Sequence, residues 1–123
     1  MMLLDSNIII YSALPNNELL RDFVQINSPF VSELSRVEVL GFHKLTQYEI
    51  DYFGKFFEST TLLSISEEVV TKAVSLRQRR KMTLGDSLIA ATALVNGLKL
   101  VTNNIKDFKW IDKLDLINPL ESD

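Results

Sequence analysis

Four acids stand where solubility alone explains an acid poorly. Asp5 closes the apolar run Met2-Leu3-Leu4. Glu38 sits between Val37 and Val39, with Leu34 and Phe42 one helical turn away on either side. Asp86 shares a helical face with Met82, Ile89, Ala90 and Ala93, and Asp107 follows Leu100-Val101-Thr102 after the polar turn Asn103-Asn104. Each has a plainer role open to it. Asp5 or Ser6 could cap a helix, Glu38 could form a buried salt bridge, Asp86 could face a helix dipole and Asp107 could be a solvated loop acid. Together they point to shared chemistry. Two carboxylates about 4 Å apart repel by roughly 4 kcal/mol at an effective dielectric near 20, so a cluster must take up protons or a cation. The chain has no cysteine and one histidine, His43, which leaves oxygen ligands and hence Mg²⁺ or Mn²⁺. Such ions keep waters and accept phosphate oxygens, so the natural reaction is phosphodiester hydrolysis by a metal-activated water.

Strands and helices must bring these acids together, and the apolar spacing predicts which. Met2 to Asp5 reads as a buried strand feeding a helix near Ile8-Ile9-Ile10-Tyr11. Pro15-Asn16-Asn17 interrupts the chain, and Glu18 to Val24 forms a short helix. Phe30-Val31 is a strand, followed by a helix over Ser32 to Phe42 and another over Thr46 to Phe57. Thr60 to Ile65 is rich in β-branched residues and reads as strand, and Ser66-Glu67-Glu68 caps a helix reaching about Arg80. Thr83 to Asn96 is a strongly apolar helix stopped by Asn96-Gly97. Lys99 to Thr102 and Leu116-Ile117 are the last strands, with a polar turn and a helical start over Asn103 to Phe108 between them. Alternating strands and helices imply an α/β fold, with a mostly parallel central sheet sandwiched between helices. Residues 1–123 have room for one domain with one sizeable core. In such folds ligands sit at the carboxyl ends of strands, where Asp5 and Asp107 fall.

Bulk properties narrow the function. The start lacks the basic region of a secretory signal, and the most apolar stretch, Leu88 to Val101, is broken by Asn96, Gly97 and Lys99, so no membrane span is expected. These features predict a cytoplasmic protein. The net charge is −3, from 13 Lys and Arg against 16 Asp and Glu. Reserving four acids for metal tips the remainder slightly positive, so a phosphate-rich partner is compatible. Lys72, Arg77, Arg79, Arg80 and Lys81 form a basic run. It reads either as a solvated helix end or, lying just upstream of Asp86, as contacts to a phosphate-rich substrate along the approach to the site, through Arg77, Arg79, Arg80 and Lys81. The aromatics Tyr48, Tyr52, Phe53, Phe56 and Phe57 have helical spacing that favours the core or a dimer face over base stacking. Trp110 beside Phe108 reads the same way, and His43 reads as a surface or cap residue.

The ordered segments Leu4-Asp5-Ser6-Asn7, Ser35 to Phe42, Leu84 to Ala93 and Leu100 to Phe108 resemble the PIN domain, and within it the VapC-like toxins of bacterial toxin–antitoxin pairs. The resemblance runs through nearly the whole chain. It implies a single PIN-like domain in which Asp5, Glu38, Asp86 and Asp107 bind divalent metal. Thr102 and Asn104 match the Thr-any-Asn that supports the last acid, with Ser6 or Asn7 in a similar role beside Asp5. It further implies a Mg²⁺- or Mn²⁺-dependent endoribonuclease that acts on RNA, forms a homodimer and is neutralised by a cognate antitoxin protein. The alternative is a catalytically silent PIN-like module that binds RNA or protein. A nucleophilic Asp5 enzyme is disfavoured because Asn7 stands where a second acid would be wanted, and no glycine-rich phosphate loop is present.

Overall fold

The computed structural model describes residues 1–121, so Ser122 and Asp123 of the expected domain lie outside the described residues. Each strand alternates its side chains between two apolar environments, and this period of two sets the architecture. Leu3, Phe30, Leu63, Leu100 and Leu116 face one core cluster, whereas Leu4, Val31, Leu62, Val101 and Ile117 face another. A sheet apolar on both faces must be covered on both faces.

The strands β1 (Met2–Leu4), β2 (Phe30–Ser32), β3 (Thr61–Leu63), β4 (Lys99–Val101) and β5 (Leu116–Ile117) form one sheet in the order β3-β2-β1-β4-β5. Every pairing is parallel. On one side pack α5 (Glu67–Arg79) and α6 (Leu84–Asn96), joined by Phe108 of the short α7 (Ile105–Phe108). The small residues Ala73, Ala90, Ala91 and Ala93 let α5 and α6 lie close to the sheet and to each other. On the other side lie α1 (Ser6–Ser12), α2 (Glu18–Asn27) and α4 (Gln47–Glu58). The helix α3 (Glu33–Leu40) straddles the margin: Leu34 packs on the first cluster, Val39 and Leu40 on the second.

Local chemistry sets the helix ends. Ser32, Thr46, Ser66 and Thr83 each accept a backbone N–H of the following helix, and Thr46 completes a reciprocal capping box with Glu49. Gly97 ends α6 with φ +65°, a left-handed conformation that glycine adopts freely. Two elements are each three residues shorter than the sequence predicts. Ser32 stays extended and spends its hydroxyl on Leu34, so α3 begins at Glu33, and Gly41 follows its last residue. The strand expected over Thr60 to Ile65 shrinks to Thr61–Leu63 because its one neighbour, β2, is three residues long.

Sheet order fixes the place of any site. From β1 the chain proceeds outward through β2 and β3, then returns to β1's other side for β4 and β5. The crevice beyond the carboxyl ends of β1 and β4 is therefore the switch point at which open parallel sheets bind ligands.

The aromatic run of α4 divides as a core helix should. Phe53 and Phe57 are buried, whereas Tyr48 is 64% exposed. Phe53→Ala should lower unfolding stability by about 3–5 kcal/mol, and Tyr48→Ala by under about 1 kcal/mol, measured by urea denaturation. Equal losses would place α4 differently.

Candidate active site

Asp5 leaves β1 at the switch point and is 6% exposed. It occupies the N-cap position of α1 but makes no side-chain cap bond, which removes the simplest alternative for it. Its Oδ2 instead accepts the Thr102 hydroxyl at 2.8 Å, where β4 ends. Thr102 Oγ1 in turn accepts the Asn104 backbone N–H at 3.0 Å, and the Asn104 side-chain amide donates to Asp107 Oδ2. The Thr-Asn-Asn turn thus holds two acids through one chain of hydrogen bonds. It also places the Thr102 hydroxyl on Asp5 and the Asn104 amide on Asp107.

A second chain holds Glu38. Ser6, buried at the start of α1, donates to Glu38 Oε1 at 2.7 Å, and its hydroxyl lies 2.8 Å from that of Ser35. Ser6 therefore makes the supporting contact; Asn7 is exposed and makes no side-chain hydrogen bond among the described residues. Glu38 itself corrects an expectation. The apolar neighbours suggested a buried carboxylate, but Glu38 is exposed, as are Val37 at 69% and Phe42 at 52%. The reason is the phase of α3, which turns Ser35 and Val39 inward and leaves Glu38 on the margin facing α6.

Asp86 lies in the first turn of α6, half-buried. Its backbone N–H donates to the cap hydroxyl of Thr83 at 3.1 Å. Gly85 beside it makes room for Glu38: a Cβ there would come within 2.8 Å of Glu38 Oε2. Asp107 is exposed on α7, and a shallow cleft of about 410 Å³ runs between it and Asp86, bounded by Arg80, Lys81, Met82, Thr83, Lys106 and Trp110.

These acids share one electrostatic field. Burial pushes the Asp5 carboxyl up to about 6, the charges of Asp86 and Glu38 add to that rise, and the Thr102 hydrogen bond opposes it. Asp86 is also raised, first by burial and then by Asp107 and Glu38, with the Thr83 hydroxyl opposing. Asp5 and Asp86 are thus the central pair, with Glu38 and Asp107 flanking them. Among the described residues no three acids close tightly enough to cage an ion unaided. The donor set still suits Mg²⁺ or Mn²⁺, which bind through one or two carboxylates and fill remaining positions with water and phosphate oxygens.

The basic run divides. Arg80 lines the acidic cleft and Lys81 borders both it and an adjoining groove, whereas Arg77 bonds the Met82 carbonyl and borders only that adjoining groove, with Val70, Val74 and Leu88. Lys72 sits away among Glu67, Glu68 and Thr71. Trp110, expected in the core or a dimer face, packs half-buried against the first core cluster and also lines the cleft rim. Sequence reasoning missed Ser35, Thr83, Gly85, Lys106 and Trp110. Two had a readable signal: Ser35 and Glu38 are three apart on one helix face, and Thr83 precedes Asp86 at capping-box spacing.

The family model of the PIN domain matches residues 2–114. The chain belongs to the PIN-domain family. It is 35% identical over 97 residues to Ribonuclease VapC1 of Rickettsia felis, a match covering 75% of this chain and 65% of that relative's length. A toxin–antitoxin complex from Klebsiella pneumoniae contains a chain that superposes with a TM-score of 0.81 at 26% identity, over 99% of this chain and 100% of that one. VapBC2 of Rickettsia felis, bound to a promoter DNA fragment, matches in fold with a TM-score of 0.84 at 23% identity, over 95% of this chain and 97% of its own.

In this PIN domain the raised Asp5 has a thermodynamic consequence. The folded chain holds a proton that the unfolded chain releases between pH 3.8 and about 6. Metal-free stability therefore falls as pH rises through that window, by about 3 kcal/mol for the full shift. Asp5→Asn keeps an acceptor for Thr102 and removes the loss. At pH 7 without divalent metal the variant should resist urea better than wild type, and the two should converge below pH 3.8. An equal difference at both pH values would contradict a desolvated Asp5.

Proposed function

We propose that this PIN domain, spanning residues 1–123, is a divalent-metal-dependent endoribonuclease and the toxin of a toxin–antitoxin pair. The observation that carries the reading is the convergence of Asp5, Asp86, Glu38 and Asp107 at the switch-point crevice, with Asp5 and Asp86 raised by burial and by the neighbouring acids. The ribonuclease name of the curated relative supports RNA as the substrate, and the toxin–antitoxin complex supports a protein partner that neutralises the chain. The chain works as a homodimer in the cytoplasm, where its RNA is.

Asp5 and Asp86 would hold Mg²⁺ or Mn²⁺, with Glu38 and Asp107 contributing from the margin. A bound ion would supply charge neutralisation for the acids and Lewis-acid activation of the phosphate and of an attacking water, whose lowered pKa would make it a nucleophile at neutral pH. The protein's own part is positioning. Thr102, fixed by the Asn104 N–H, keeps Asp5 in one orientation, and Asn104 does the same for Asp107. The Ser6 hydroxyl, beside Ser35, orients Glu38 toward the gap left by Gly85. The thirteen-residue α6 presents its N-terminal end beside Asp86, where its dipole favours an incoming phosphate. Arg80, Lys81 and Lys106 offset the acids' repulsion of the RNA backbone.

Purified protein should cut a mixed RNA pool with Mg²⁺ or Mn²⁺ and not with EDTA. Asp5→Asn and Asp86→Asn should each lower the rate by about 100-fold or more, and Thr102→Val, which loses the orienting bond, by about 10–100-fold. Variants cutting as fast as wild type would refute the assigned site. Folded, inhibitor-free wild type that binds RNA without cutting it would favour a silent binding module.

A further inference from the structure

Trp110 is tied to the acidic site and attended by two cations. Its indole N–H donates to the Asp107 carbonyl at 3.1 Å, so ring and acid ride on the same turn. The ring packs partly against the core and partly lines the cleft that holds Asp86 and Asp107. The guanidinium carbons of Arg79 and Arg80 lie 5.6 and 5.5 Å from its centroid. Neither arginine has a carboxylate within salt-bridge distance among the described residues, where the one ion pair joins Arg36 to Glu33. A ring attracts a cation without neutralising it. Two positive charges gathered on one half-open indole are thus without a carboxylate in salt-bridge contact among the described residues, and their neighbour is the cleft where a phosphodiester would lie.

We propose that Trp110, Arg79 and Arg80 form a nucleotide subsite beside the acids: the indole stacks a base next to the cleaved bond, and the two guanidiniums take the adjoining phosphates. The subsite rests on the ribonuclease reading for its substrate and adds a residue that positions it. Stacking of a base on an aromatic ring is stronger than the hold of an exposed guanidinium on that ring. An arriving base can therefore displace an arginine from the indole and free it for phosphate, which its planar fork suits. Every base has a face to stack, so this subsite anchors the strand without choosing its sequence.

Trp110 is the chain's single tryptophan, so its emission reports on the ring directly. The test is a fluorescence titration of the full Asp5→Asn chain in Mg²⁺ with short single-stranded RNA, alongside the same sugar-phosphate strand lacking bases. RNA should quench the emission saturably. The abasic strand should leave it unchanged and bind about tenfold or more weakly. Combining Arg79→Gln with Arg80→Gln should weaken RNA binding and reduce the slope of log affinity against log salt by about 1.4, the value for two lost phosphate contacts. Trp110→Phe, which keeps a smaller stacking face, should bind more weakly with its salt slope unchanged. Labelled RNA that binds, by anisotropy, while the emission stays constant and the double arginine variant keeps its salt slope would overturn the subsite. That outcome beside metal-dependent cutting by wild type would remove the subsite and leave the nuclease. Quenching without any cutting by wild type would remove the nuclease and leave an RNA-binding ring.

Discussion

Carboxylates that repel one another are held together at the end of a buried sheet, and much of this small fold serves to hold them. Asp5 loses most of its hydration at the β1 terminus, and Asp86 and Glu38 add like charge nearby. Such a grouping works against the folded state at neutral pH. It persists because the elements carrying the acids are fixed for other reasons. β1 and β4 are central strands with apolar residues on both faces, and α6 is packed on the sheet by Ile89, Ala90, Ala91 and Ala93. Stability generated in the core offsets strain concentrated in the crevice, the usual relation between a scaffold and a functional site.

Two hydrogen-bond chains turn that rough placement into geometry. One runs through Asn104 and Thr102 to Asp5, with the Asn104 side chain holding Asp107. The other joins Ser35, Ser6 and Glu38 across α1 and α3. Both use short side chains with few rotamers, so little conformational freedom is lost in orienting each carboxylate. Gly85 has the complementary role: its missing side chain is the space that Glu38 enters. Opposite the acids, Arg80, Lys81 and Lys106 place positive charge at the rim. A chain of net charge −3 can therefore still present a mixed, phosphate-compatible cleft.

Much of this is legible in the sequence. Strand and helix order follows from apolar period and capping residues, and the convergence of Asp5 with Asp107 follows from their places just beyond strands. What was illegible depends on helix phase and turn direction. Glu38 reads as buried because Val37 and Phe42 surround it, yet the inward face of α3 is set by Ser35 and Val39. Trp110 reads as core or dimer face; it does pack on the core cluster, and the turn after α7 also brings it to the cleft rim. The basic run reads as one patch, but α5 ends at Arg79 and the backbone turns extended at Arg80, sending Arg77 and Arg80 to different grooves.

The most direct measurement of the central claim is calorimetric titration of Mn²⁺ into the protein near pH 6, in two buffers of different ionisation enthalpy. With Asp5 raised to about 6, an ion bound there must expel a proton, so the observed heat should depend on the buffer. Saturable binding with proton release in wild type, both lost in Asp5→Asn, is the predicted result. Absence of binding by wild type, or binding and proton release unchanged in Asp5→Asn, would contradict a metal site built on Asp5.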